Sequence, residues 1–135
     1  MKRLGRRLSL LLAIWSRWGK IRVRLLDTDL PHVVNELEGA KRKARARAHP
    51  IHLGRTIRRV LSMGPFQARC LTTALVHFQL LREQGVPAQL VIGLPDQATS
   101  KDAHAWVEVE GVDVGPPPGR GSHQELARYG SVSTA

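Results

Sequence analysis

A change of hydrophobic period within residues 70–93 constrains the fold of this chain more than any other sequence feature. Apolar residues after Cys70 recur at intervals of three and four over about fifteen residues, which is the spacing of one helix face. Gly85 and Pro87 then stop the helix, because glycine terminates helices and proline cannot continue one. Ala88 to Gly93 follows as a short apolar strand. The sequence therefore predicts a helix headed by Cys70 that turns back into a strand.

A second strand is predicted over Ala103 to Val109, where polar and apolar residues alternate. This alternation puts His104 and Trp106 on the same face of the strand. Glu110-Gly111 is predicted to form a two-residue hairpin turn, and Val112 to Val114 begins the return strand. The order of one helix followed by strands predicts an α+β fold, in which a central helix packs on a small antiparallel sheet.

The remaining segments of this half are predicted to be irregular. Leu94 to Lys101 and Gly115 to Ser122 are predicted as loops, the second rich in proline and glycine. Gln124 to Tyr129 is predicted as one helical turn, and Gly130 to Ala135 as a loose tail. The predicted sheet therefore contains the strands of the hairpin and the strand that follows the helix.

Charge divides the chain into two regions. The length of 135 residues predicts one compact domain. Residues 1–69 carry 17 Lys and Arg against 4 Asp and Glu, whereas residues 70–135 carry 4 against 7. We therefore distinguish a basic helical N-terminal region, residues 1–62, from a core, residues 63–135, within one domain. A basic surface attracts nucleic acid, anionic membranes or acidic proteins, and charge alone does not choose among them.

The basic N-terminal region is predicted to be largely helical. Met1 to Lys20 has a basic start and an apolar stretch, lacks a small-residue cleavage site and is too short to span a bilayer. We interpret it as a helix that docks on the domain or on a partner, with peripheral membrane contact or a cleaved signal as alternatives. Arg22 to Leu26 suits a short strand or a continuation of that helix. Further helices are predicted from Pro31 to near His49, and around Ile57 with its end at Ser62.

Cys70 is the first candidate for chemistry. It is the one cysteine of the chain, which excludes an internal disulfide and points to a reducing compartment. In the first turn of a helix, the helix dipole and the free backbone N–H groups favour the thiolate. The same position also suits a small buried hydrophobic residue. No cofactor is expected, and no metal, because His49 and His52 lack a nearby carboxylate or thiol to complete a ligand set.

A cysteine at a helix start, a Gly-x-Pro-Ala bend into a strand and a His-Ala-Trp strand occur together in this chain. They lie in Arg69-Cys70-Leu71, in the run from Leu81 to Gly93 and in the run from Ala103 to Gly111. In these segments the chain resembles the leader-peptidase half of the lasso peptide maturation B protein, in the transglutaminase-like superfamily. The resemblance covers residues 63–115. The basic helical region is similar to that of the stand-alone protease, which is encoded apart from a small leader-recognition partner.

The resemblance implies a transglutaminase-like (papain-like) cysteine peptidase core with helices added at its N-terminus. It implies that His104 takes the proton of Cys70, that the thiolate attacks the scissile carbonyl and that the acyl-enzyme is then hydrolysed. The backbone N–H of Cys70 is the expected oxyanion donor, and the Gln67 side chain is a second candidate on the substrate side. Trp106 is expected either to pack beside the imidazole and exclude water or to serve simply as a core residue.

The function that the resemblance implies is removal of the leader from a ribosomally synthesised precursor peptide during lasso peptide maturation. The expected partners are the precursor, a separate leader-recognition protein that docks on the basic region, and the lasso cyclase. The expected location is the bacterial cytoplasm, with membrane contact by the N-terminal helix as an alternative. No nucleic acid partner is expected, since an aromatic content of 4% offers few stacking platforms.

The third catalytic residue is where the chain departs from the family. The resemblance implies an acid about a dozen residues after His104, where this sequence has Gly115-Pro116-Pro117. The predicted hairpin leaves Asp113 about 13 Å along the strands from the histidine, so that only a bulge or another register brings it into reach. Asp113 is the first candidate all the same, Asp102 and Glu125 are the others, and a Cys-His dyad is the remaining option.

Two other classes of function are open. The missing acid favours an inactive transglutaminase-like scaffold. The cations of Lys41 to Arg47 and Arg55 to Arg59 suit a nucleic-acid-binding module, whose affinity falls steeply with salt.

Overall fold

The computed structural model describes residues 2–38, 49–62, 70–95, 104–115 and 123–130, and of residues 2–7, 38, 70, 94–95 and 123 the backbone only. Within these ranges, helices come first and strands follow. The elements are α1 (Lys2–Asp27), α2 (Leu30–Glu38), α3 (Pro50–Ser62), α4 (Cys70–Glu83), β1 (Ala88–Pro95), β2 (His104–Val109), β3 (Val112–Gly115) and β4 (His123–Tyr129). The predicted α+β class is confirmed.

The helix α4 is the central element, and α1, α2, α3, β1 and β2 all pack against it. Leu75 and Phe78 are fully buried. The helix ends as predicted: Gly85 takes a left-handed φ of 81°, and the N–H of Val86 donates to the carbonyl of Leu81 at 3.0 Å. This turn directs β1 back along the helix.

The first helix, α1, includes Arg22 to Leu26, which confirms the second of the two predicted alternatives for this segment. Leu25 lies four residues after the buried Ile21 and packs on the same core. Ile14 and Ile21 are buried in the core. Arg17 forms an ion pair with Glu83 of α4, with an N···O distance of 2.7 Å. None of the described helices combines the length and the apolar character needed to cross a bilayer.

The helix α2 follows after a two-residue link. Asp29 caps it, since its carboxylate accepts a hydrogen bond from the N–H of His32 at 3.3 Å. Val33 and Val34 bury one face of the helix. The helix is described as far as Glu38; its predicted continuation to near His49 lies in residues 39–48, outside the described part of the chain, and stays a prediction.

The helix α3 ends at Ser62, as predicted. Its buried face consists of Leu53, Gly54, Ile57, Val60 and Leu61. Arg55, Arg58 and Arg59 lie on the opposite, exposed face. The segment from Lys41 to Arg47 lies outside the described residues.

The four described strands form one antiparallel sheet in the order β3-β2-β1-β4. The predicted hairpin turn is confirmed: Glu110 and Gly111 both adopt left-handed φ values, 52° and 80°, as a two-residue turn requires. Leu90 pairs with Val107 on one side, and β4 covers the other edge of β1. Leu90, Ala105 and Val107 belong to the core that includes α4.

The strand β4 corrects a prediction. Gln124 to Tyr129 is not a helical turn but pairs with β1 along almost its whole length, and β1 itself extends through Leu94 and Pro95 instead of ending in a loop. The segment from His123 to Tyr129 has no β-branched residue. Its pairing follows from the open edge of β1, where unpaired backbone groups need partners.

Candidate functional site

Cys70 is the first residue of α4, as predicted. The helix dipole favours negative charge at this end of α4. Residues 63–69, which precede it, lie outside the described part of the chain. The side chain of Cys70 and all of Gln67 lie outside the described part of the molecule. The predicted distance from sulfur to imidazole and the role of Gln67 thus stay predictions.

His104 is the first residue of β2, opposite Gly93 on β1. Its side chain is half-buried. Because side chains alternate along a strand, His104 shares its face with Trp106, whereas Ala105 and Val107 face the core around α4.

The starts of α4 and β2 lie at the same end of the molecule. The buried His77 of α4 lies against the backbone of Gly115, which pairs with Val107. From this contact, Cys70 lies seven residues back along α4, or about 10 Å at 1.5 Å per residue. His104 lies three residues back along β2, again about 10 Å. Since β1 returns along α4 and β2 is antiparallel to β1, both steps run in the same direction.

Trp106 is held by a network that spans three strands. Its indole N–H donates to Glu108 at 2.9 Å. Arg128 of β4 donates to the same carboxylate at 3.0 Å and to the side-chain carbonyl of Gln89 at 2.8 Å. The ring covers Gly93, because a Cβ added there would lie 2.8 Å from its edge. Trp106 thus forms a fixed wall beside His104.

Sequence reasoning missed this network. Glu108, Gln89 and Arg128 lie on β2, β1 and β4, and their contacts depend on the register of the sheet. The one local signal is the alternation that places Glu108 on the face of Trp106.

The register does not bring Asp113 to His104. Asp113 pairs with Glu108, four residues along β2, and its carboxylate accepts a hydrogen bond from the N–H of Gly115 at 2.8 Å. Four residues of strand correspond to about 13 Å. The sequence left open a bulge that would bring Asp113 closer to His104. The sheet does have a bulge, where Val107 pairs with Gly115, but it comes after Asp113 in β3, so Asp113 still pairs with Glu108.

Glu125 lies in the same cross-strand row as His104. Gly93 pairs with His104 on one side and with Glu125 on the other, which sets their Cα atoms about 10 Å apart. The Glu125 carboxylate accepts a hydrogen bond from Arg128 at 2.6 Å, and this bond lowers the pKa of Glu125. Asp102, the other candidate, lies outside the described residues.

Gly115 stands at the start of the segment where the family's acid is expected. Its φ is 97°, a conformation that an aspartate adopts only with strain. The backbone conformation at this position therefore favours glycine over the acid that the family resemblance implies.

Comparison with known protein families gives one match. A family model described as the transglutaminase-like superfamily matches residues 9–132, across both the basic N-terminal region and the core. No curated protein and no solved structure matches the chain.

Proposed function

Because the chain belongs to the transglutaminase-like superfamily, which includes cysteine peptidases, we propose that it is a cysteine peptidase. We propose further that it removes the leader from a ribosomally made precursor peptide in lasso peptide maturation. The observation that supports the proposal is that Cys70 on α4 and His104 on β2 lie at the same end of the described fold. Alternation places His104 on the sheet face opposite Ala105 and Val107, so pairing with Cys70 requires the imidazole to reach around this end of the sheet. The sequence resemblance supplies the substrate class.

The proposed reaction has two steps. His104 takes the thiol proton of Cys70, and the thiolate attacks the scissile carbonyl of the precursor while the N–H of Cys70 donates to the oxyanion. The imidazolium then gives its proton to the leaving amine, and the leader remains as a thioester on Cys70. Water, deprotonated by His104, hydrolyses the thioester and restores the thiol. Gln67 is the proposed second oxyanion donor, and Trp106 excludes water from the imidazole.

The orientation of His104 needs a group in place of the missing acid. Glu125 lies in its row and Asp113 lies about 13 Å away, so the two candidates can be separated by variants. We expect Glu125→Gln to lower kcat/KM for precursor cleavage at least about tenfold and Asp113→Asn to leave it unchanged. Asp102→Asn is the third variant, because Asp102 lies outside the described residues. If none of the three variants changes kcat/KM, Cys70 and His104 act as a dyad; a loss in Asp113→Asn alone would show that the hairpin register differs in solution.

The proposed partners follow from charge and from the resemblance. The basic N-terminal region suits an acidic surface on a separate leader-recognition protein, which presents the precursor. The described part of this region exposes Arg55, Arg58 and Arg59 on α3. The lasso cyclase is the proposed acceptor of the released core peptide, in the bacterial cytoplasm.

The proposal is tested by cleavage of a precursor in the presence of its recognition protein, followed by mass spectrometry. Cys70→Ala is expected to abolish cleavage, and His104→Ala to reduce it about a thousandfold or more. His52→Ala, which alters an exposed histidine of α3, is the matched control and should cleave as the parent does. Cleavage by Cys70→Ala at the parent rate would refute the proposal.

A second candidate is an inactive scaffold of the same fold, favoured by Gly115 in the region of the acid. Alkylation of Cys70 across a range of pH separates the two. An active-site thiolate reacts well below the ordinary thiol pKa of about 8.5, and His104→Ala shifts its profile upward. A scaffold shows an ordinary thiol profile that does not respond to His104→Ala.

A further inference from the structure

An exposed apolar stripe runs along α1. Leu8, Leu12, Val23 and Leu26 are 52%, 71%, 59% and 85% exposed. At 3.6 residues per turn, these four positions fall within about a quarter of the helix circumference. From Leu8 to Leu26 the stripe is about 27 Å long. We call these four side chains the α1 stripe.

The rest of the fold fixes the direction in which the α1 stripe faces. Ile14 and Ile21, on the opposite side of α1, are fully buried. Arg17 donates two hydrogen bonds to the carboxylate of Glu83 on α4, at 2.7 and 3.1 Å. The helix therefore cannot rotate to bury the stripe without breaking both the core contact and the ion pair.

The charges of α1 indicate what covers the stripe. The helix α1 contains eight Lys and Arg against one acidic residue, Asp27, at its end. Lys20 and Arg22 are exposed and lie on opposite sides of the stripe by helical position. Two copies of α1 paired through the stripe would bring like charges together. An anionic surface is instead complementary to both the apolar and the cationic positions.

We propose that α1 is an interfacial helix that lies on an anionic phospholipid membrane. The α1 stripe enters the boundary between headgroups and acyl chains, and Lys20 and Arg22 extend to lipid phosphates on either side. The groove beside the stripe, between α1 and α2, is a cavity of about 460 Å³ of mixed lining, in which Val23 and Leu37 lie beside Lys20 and the Arg24–Glu36 ion pair. This proposal does not depend on the peptidase activity.

The test is co-sedimentation of the full chain with lipid vesicles. The parent is expected to pellet with vesicles of phosphatidylglycerol and phosphatidylcholine, and to bind phosphatidylcholine alone at least about tenfold more weakly. Leu12→Glu with Leu26→Glu should weaken binding to the anionic vesicles at least about tenfold, because the stripe no longer enters the bilayer. Both side chains are exposed, so the variant is expected to fold, which its thermal unfolding curve checks.

The matched control is Val112→Glu with Leu126→Glu. These two side chains are 59% and 54% exposed, lie on β3 and β4, and give the same change of charge. Their variant should bind the anionic vesicles within about threefold of the parent. Equal loss in both double variants would overturn the proposal, because net charge alone would then explain binding.

Three further results would overturn it. The first is a parent protein that stays in the supernatant with anionic vesicles. The second is a parent with twice the chain mass of 15.0 kDa in light scattering without lipid, together with a monomeric Leu12→Glu, Leu26→Glu variant; the stripe would then join two copies of the chain. The third is a Leu12→Glu, Leu26→Glu variant that binds the anionic vesicles as the parent does but no longer binds an acidic protein partner; the stripe would then belong to that partner.

Discussion

At the scale of single residues, the wall beside His104 depends on Gly93. A Cβ added there would lie 2.8 Å from the Trp106 ring and 2.8 Å from the backbone carbonyl of Gln124. The carbonyl cannot move without opening the pairing of β1 with β4. We therefore expect Gly93→Ala to lower the free energy of unfolding by about 1–3 kcal/mol, measured by urea denaturation.

A second glycine provides the control for that substitution. A Cβ added to Gly19 of α1 meets nothing within 4 Å. Gly19→Ala should therefore raise the free energy of unfolding by up to about 1 kcal/mol, because alanine has the higher helix propensity. If Gly93→Ala were as stable as the parent, the Trp106 ring and β4 would have to be free to move, and the fixed wall would be wrong.

At the scale of elements, the attachment of α1 to α4 depends on an ion pair with little access to water. The side chains of Arg17 and Glu83 are 12% and 7% exposed. Arg17→Met leaves the Glu83 carboxylate buried without this partner, and we expect it to cost about 3–5 kcal/mol of unfolding free energy. Thermal and urea unfolding measure this loss.

The pair between Arg24 and Glu36 is the comparison for that prediction. It joins α1 to α2, but its side chains are 46% and 50% exposed. Arg24→Met should cost much less unfolding free energy than Arg17→Met, because water screens an exposed pair. Equal effects of Arg17→Met and Arg24→Met would mean that α1 is not held against α4 by the buried pair.

The elements also show what the sequence could predict. The helix α4 and the β2–β3 hairpin were predicted because their signals are local: the Cys70 helix start, the stop at Gly85 and the turn at Glu110-Gly111. The strand β4 was missed because only pairing with β1 makes it a strand. Local propensity carries no information about such a distant partner.

The same distinction applies to the candidate site. Cys70 and His104 could be proposed from sequence because Cys70 heads a segment of helical period, His104 lies near the start of an alternating strand, and both segments resemble a known family. Arg128 was missed because it reaches Gln89 and Glu108 only after three strands have aligned. Contacts set by register between distant segments cannot be read from spacing along the chain.

At the scale of the whole molecule, His77 joins three elements in the core. The ring Nε2–H of this fully buried residue of α4 donates to the carbonyl of Pro50 in α3 at 2.8 Å. A Cβ on Gly54 would lie 2.7 Å from the ring, so α3 approaches α4 closely at this point. Burial lowers the pKa of His77 to about 4, against the opposing effect of the backbone at Pro50 and Gly115.

This lowered pKa makes the stability of the protein depend on pH. The folded chain keeps His77 neutral, whereas the unfolded chain takes up a proton near pH 6.5. The contribution of neutral His77 to the free energy of unfolding is therefore fully present above about pH 6.5. It is lost as the pH falls toward 4, by about 1.4 kcal/mol per pH unit. Hydrogen bonds from His32 and Arg128 lower the pKa values of Asp29 and Glu125. These two carboxylates are protonated, and their stabilising contributions lost, only at lower pH than the one at which His77 has its effect.

Urea unfolding at pH 7.5 and pH 4.5 measures this dependence. The parent is expected to lose about 2–3 kcal/mol between the two conditions through His77. His77→Gln keeps a donor for the Pro50 carbonyl but has no group that titrates in this range. The variant should be less stable than the parent at pH 7.5, because glutamine does not fill the space of the buried ring. On acidification it should lose about 2 kcal/mol less unfolding free energy than the parent. His52→Gln, on the exposed face of α3, should behave as the parent. If His77→Gln lost as much stability as the parent, the buried neutral histidine would not be the source of the acid sensitivity.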